Sequence, residues 1–164
     1  MNQTTGPGAP NGTLRAILTA GIVCATLDGG GVSLFYWLKG FPPLRIWQGV
    51  ASSLLGKDAF LMGWRSGAFG LFLHLCVAYT VTTIFVLLAR RIPFLTRHYV
   101  WSGLVYGLGV FLVMNRIVVP MTRVQRRPMT IEGLIVQLVL HFFAIGLSIA
   151  WITRTFLRRS AVSS

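Results

Sequence analysis

Gly67-Ala68-Phe69-Gly70-Leu71-Phe72-Leu73-His74-Leu75-Cys76-Val77-Ala78-Tyr79-Thr80-Val81-Thr82-Thr83-Ile84-Phe85-Val86-Leu87-Leu88-Ala89 runs without an acidic or basic residue other than His74, and Arg90-Arg91-Ile92-Pro93 ends it. The run meets the requirement of about 20 residues for a hydrocarbon core about 30 Å thick. Arginines meet the headgroups, and Pro93 discourages helix at Ile92. Residues 14–38, 99–119 and 131–152 are likewise long and apolar, with few charged residues. A backbone exposed to lipid must satisfy its own hydrogen bonds, so all four runs are expected to be helices. The expected fold class is all-α: a polytopic membrane four-helix bundle.

Composition agrees with that expectation. Of 164 residues, 54% are hydrophobic and 11% charged, with a mean hydropathy of +0.71; an ordinary soluble domain is excluded. The formal charge of +12 comes from 15 Lys+Arg against 3 Asp+Glu. Most of the cations fall between the apolar runs, where they meet lipid phosphates and set topology. The bilayer is therefore the expected partner, and nucleic acid is not. Cys24 and Cys76 lie inside apolar runs and imply no disulfide framework. The first apolar run is too long for a signal h-region and has no basic cluster before it, so an uncleaved first span is expected.

Residues 1–13 read as a disordered polar tail, 14–157 as one transmembrane domain, and 158–164 as a basic and polar C-terminal tail. The second link, and the third with Arg126-Arg127-Pro128, are short and predict antiparallel neighbours. The first link, residues 40–66, is long. Within it Trp47, Val50, Ala51 and Leu54 recur at helical spacing after Pro42-Pro43. Residues 44–55 are thus predicted to form a short interfacial helix capping one end of the bundle, with Trp47 and Leu54 facing apolar surroundings. Trp37, Trp47 and Trp64 would form one interfacial belt, and Tyr99, Trp101 and Trp151 the other. Basic residues divide almost evenly between the two faces. The arginines nearest span ends favour cytoplasmic termini.

Strongly polar residues interrupt each span: Asp28, His74, Asn115 and His141. At about 1.5 Å per residue, Asp28 and His141 lie roughly 15 Å from the face bearing the long link, His74 about 10 Å and Asn115 about 6 Å. Gln137 sits one turn from His141 on the same helical face. Ionisable groups in spans are costly and tend to face the bundle interior, so these five residues form the candidate polar pocket. The competing reading is structural: Asp28 pairs with His74 or His141, and Asn115 caps a neighbouring backbone. His98, in a polar link, is expected to be solvated.

Gly29-Gly30-Gly31 follow Asp28. They provide either a close-packing surface for another helix or a loosened segment that frees backbone carbonyls; the first reading is preferred. Gly103 and Gly107 read as a close-packing face first and a dimerisation face second. The similar runs Leu71-Phe72-Leu73-His74 and Leu138-Val139-Leu140-His141 suggest duplicated hairpins that present their histidines to each other.

No His-rich box, carboxylate pair, phosphate loop, Cys-x-x-Cys or serine elbow is present, and catalysis is not expected. The leading expectation is a non-enzymatic multi-pass membrane protein whose pocket binds or moves a small ligand or ion, with no resident cofactor. One alternative is a haem- or metal-binding redox protein using His74 and His141. Another is a purely structural subunit in a homo-oligomer or with a membrane partner protein.

Pro43-Leu44-Arg45-Ile46-Trp47-Gln48-Gly49-Val50-Ala51-Ser52-Ser53-Leu54-Leu55-Gly56, Gly70-Leu71-Phe72-Leu73-His74, Tyr106-Gly107, Val113-Met114-Asn115 and Val119-Pro120 together resemble a group of bacterial multi-pass inner-membrane proteins of unknown activity. The chain is similar, more distantly, to YagU-like proteins. The resemblance touches all four spans and implies architecture and a bacterial inner-membrane location, not an activity. Ser148 stands where such proteins would be expected to carry proline.

Overall fold

A computed structural model describes residues 10–124 and 130–162. All of its regular elements are helical: α1 (Pro10–Leu38), α2 (Pro43–Leu55), α3 (Trp64–Arg91), the short α4 (Pro93–Arg97), α5 (Tyr99–Val113), α6 (Ile131–Leu140) and α7 (Ser148–Val162). A π segment, Met114–Val118, and a 3-10 turn continue α5, while the π segment His141–Leu147 joins α6 to α7. Four helices are long and apolar enough to cross a membrane: Gly12–Leu38, Trp64–Arg91, Tyr99–Met121 and Ile131–Arg158. The chain has the build of a multi-pass membrane protein. Its outer surface carries large apolar side chains on every span, among them Leu18, Phe72, Val105 and Ile135, a surface suited to lipid rather than water.

The expected tails are shorter than their composition implied. Helix α1 already includes residues 10–13, and α7 runs on to Val162. Residues 1–9, 163–164 and the predicted basic link Arg126-Arg127-Pro128 lie outside the described residues. Ile92 is extended, as the following proline demands, and Pro93 opens α4.

Helix α1 packs between α3 and the fourth span, which in turn packs on α5. Small residues let these helices approach: Ala20, Cys24, Ala25, Ala78, Ala89 and Ala150 belong to the core around Phe85 and Ile149. The carbonyl of His141 occupies the place where Gly107 would carry a Cβ, and a Cβ on Gly103 would lie 2.8 Å from the carbonyl oxygen of Gly146. Gly103 and Gly107 thus serve close packing within this chain. Consecutive α3 and α5 do not pack backbone to backbone despite their short link. They meet through Tyr106, which donates to the Val81 carbonyl at 2.5 Å and crosses the Phe85 ring edge-on at 4.9 Å.

Helix α2 is present as expected, and it turns two polar residues inward as well. Gln48, Ala51 and Ser52 are buried, while Leu54 is 53% exposed. The Trp47 carbonyl occupies the Cβ position of Gly70, so α2 meets α3 at backbone contact, where small residues fit. Gln48 tolerates burial because its Nε2 donates to the Gly63 carbonyl at 2.9 Å. Trp37, Trp64, Trp101 and Trp151 point outward, but Trp47 turns inward and leaves the expected belt. Gly56, at φ 66°, ends α2 in a conformation open to glycine and gives its N–H to Ser52.

Candidate functional site

Asp28, His74, Asn115, Gln137 and His141, carried by four different spans, line one cavity of about 250 Å³. Ile46, Trp47 and Val50 of α2 complete the wall. The helix expected to cap the bundle therefore helps build its polar interior. Helix α1 is unbroken through Gly29-Gly30-Gly31, so the glycines do not release carbonyls. A Cβ on Gly31 would meet the Leu140 side chain, Gly29 faces Trp47 and His74, and Gly30 faces open space.

The hydrogen bonds of the two histidines define their neutral tautomers, because a carbonyl only accepts. His74 donates from Nε2 to the Ala25 carbonyl at 3.0 Å, while His141 donates from Nδ1 to the Gln137 carbonyl at 2.8 Å. The remaining nitrogens, Nδ1 of His74 and Nε2 of His141, are acceptors without a partner among the described residues. Both rings are held edge-on, His74 by Trp47 and His141 by Phe111, with centroids 5.4 Å apart in each pair. The histidines share the cavity, as duplicated hairpins would place them, yet they are not equivalent. One bonds a neighbouring helix and the other its own preceding turn.

Asp28 makes no hydrogen bond and no ion pair among the described residues. Its carboxyl is near enough to His141 and His74 for their charges to interact, but the direct pairing of the structural reading is not formed. The ion pair formed among the described residues joins Lys39 to Glu132 between exposed span ends. Asn115 donates from Nδ2 to the Phe111 carbonyl at 3.0 Å and approaches Gln137 Oε1 at 3.5 Å, the outer limit of a hydrogen bond. Asn115 Oδ1 and Gln137 Nε2 keep unused capacity.

Asn115 and His141 both belong to π segments. Such segments insert a residue into the helical ladder, turning the side chains on either side relative to each other by about 100°, and they recur at functional sites. On the fourth span the π segment coincides with the Gly103, Gly107 and Gly146 contact, so close packing and the aim of His141 are joined. Ser148, at the position expected to be proline, begins α7 and donates to the Ala144 carbonyl.

Among the described residues, no three His, Cys, Asp or Glu side chains converge as metal ligands would. His98 is exposed and lies against the Phe94 ring. Trp47, expected at an interface, and Cys24 are wall residues as well. Trp47 sits three residues after Leu44 and four before Ala51, both of which face glycines of α3; the Gly67 and Gly70 spacing is the signal that could have pointed to it. No family model matches the chain, and comparison with curated proteins and with solved structures finds no match.

Proposed function

We propose that this chain is a non-enzymatic multi-pass membrane protein that binds, and moves or presents, a small ligand or ion in the cavity of Asp28, His74, Asn115, Gln137 and His141. One observation carries the reading: a carboxyl group deep in a span shares a cavity with two imidazoles, yet has no hydrogen-bonding or ion-pairing partner among the described residues. Structural glue would have joined these groups directly, since an unpaired polar group in hydrocarbon is costly. A volume of about 250 Å³ falls below the roughly 300–1,000 Å³ of pockets for drug-sized ligands. It suits an ion or a molecule of a few atoms and disfavours haem between the histidines. Within this reading the chain resides in a bacterial inner membrane with cytoplasmic termini, as the resemblance and the arginines near span ends imply.

Thermal unfolding of the purified chain in lipid nanodiscs, across a panel of small ions and neutral polar molecules, tests the proposal. A saturable rise in Tm that Asp28→Asn removes supports it. No rise with any compound overturns it and transfers the polar cluster to a structural role.

A further inference from the structure

The wall of the cavity is unbalanced in its hydrogen-bonding capacity. Each neutral imidazole has spent its single N–H on a backbone carbonyl, so His74 Nδ1 and His141 Nε2 can only accept. An ionised Asp28 is acceptor-only as well, and Asn115 Oδ1 adds another unused acceptor. Against these stand fewer donors, the Gln137 Nε2 amide with the indole N–H of Trp47 and the thiol of Cys24 on wall residues, and no Lys or Arg lines the cavity. Such a wall rejects anions and favours a guest that brings N–H donors and one positive charge.

We propose that the occupant is a small N–H-bearing monocation, ammonium or a short primary alkylammonium, accepted by Asp28, His74 and His141. The inference rests on the pocket reading above and names its ligand class. Metal cations need convergent ligands at about 2.0–2.6 Å, whereas the ionisable groups here are spread around a cavity and do not form such a set. An ammonium nitrogen directs its N–H bonds outward and reaches acceptors at about 2.7–2.9 Å, which matches a dispersed set better. Trp47 places an aromatic ring in the wall, the ring type that best attracts a cation. Val32, Val50, Val77 and Val81 supply apolar lining for a short alkyl group.

The test uses the full chain in phosphatidylcholine nanodiscs at about pH 8, above the ordinary imidazole range. Calorimetric titrations with methylammonium, potassium, magnesium, tetramethylammonium and neutral acetamide separate the alternatives, since tetramethylammonium keeps the charge but has no N–H, and acetamide has N–H but no charge. Methylammonium is expected to bind saturably, at least about tenfold more tightly than potassium or tetramethylammonium, and Asp28→Asn to weaken it by about tenfold or more, the scale of one charge-assisted hydrogen bond. Equal binding of tetramethylammonium or potassium, still lost in Asp28→Asn, overturns N–H recognition and leaves the pocket reading standing. Binding of a neutral compound or of magnesium, with none of methylammonium, does the same. No binding of any compound by the wild-type chain defeats both. Should Asp28→Asn fail to fold, His141→Phe serves instead: it keeps a flat ring but removes the Nε2 acceptor, giving up only the Nδ1–H bond to the Gln137 carbonyl one turn earlier on its own helix. Unchanged methylammonium affinity in that variant overturns the proposal, and a loss of about tenfold supports it.

Discussion

A Cβ on Gly29 would lie 2.9 Å from Nε2 of His74, the nitrogen that donates to the Ala25 carbonyl one turn earlier on the same helix. The missing side chain is what lets α3 bring an imidazole onto the backbone of α1. The same position would stand 2.7 Å from Cη2 of Trp47. One glycine therefore serves the meeting of three helices at the cavity wall.

Gly29→Ala is accordingly expected to displace His74 and Trp47 and to lower stability by about 1–3 kcal/mol, the usual cost of overpacking. Gly30→Ala meets nothing within 4 Å and should be neutral or stabilising by about 0.5–1 kcal/mol, since alanine is the better helix former. Chemical unfolding of the two variants in the same micelles compares them. Equal effects would show that the triplet acts through helix flexibility, not through packing.

Asp28→Asn removes the charge while keeping the shape. Because Asp28 holds no hydrogen bond and no ion pair among the described residues, the ligand-free variant should unfold within about 1 kcal/mol of wild type. A buried ion pair broken from one side would instead cost about 3–5 kcal/mol. Equilibrium unfolding without added ligand distinguishes these magnitudes, and the larger loss would restore a direct Asp28–histidine pair.

Gly107→Val places side-chain atoms where the His141 carbonyl now sits. It should destabilise the chain by about 3 kcal/mol or more, because a backbone contact yields less than a flexible side chain. The contact is within one chain, so the loss should not depend on the protein-to-lipid ratio. A loss that vanished on dilution would assign the glycine face to a dimer.

Helix α2 joins two link segments that the four-span reading places on one side of the membrane. In a background lacking Cys24 and Cys76, Lys39→Cys and Lys57→Cys should react with an impermeant thiol reagent from the same side, and Arg97→Cys from the other. Lys57 is exposed, whereas Ser66 is fully buried and would not report. Opposite labelling of positions 39 and 57 would make α2 a fifth crossing.

Much of the architecture was legible in one dimension because hydrophobic length is a local property. The run from Gly67 to Ala89 predicts a crossing helix without reference to any other segment, and Pro43 and Gly56 bound α2 by backbone chemistry of their own. Gly103 and Gly107 announced a close contact in the same way. Their partner, Gly146 beside the π segment, was not announced, since helical spacing does not record an inserted residue.

The sequence by itself determined four apolar spans, a short helix between the first two, and a polar group in each span, all through the cost of leaving backbone or charge in hydrocarbon. Only the tertiary structure decided that five polar residues share one cavity, that Trp47 belongs to its wall, and that α2 turns Gln48 and Ser52 inward. Those outcomes depend on which glycine permits which approach: Gly70 admits the α2 backbone, Gly29 admits His74 and Trp47, and Gly107 admits the His141 carbonyl. Rotation of a helix about its axis is set by such contacts between distant segments, and a period of 3.6 residues is the same for every rotation.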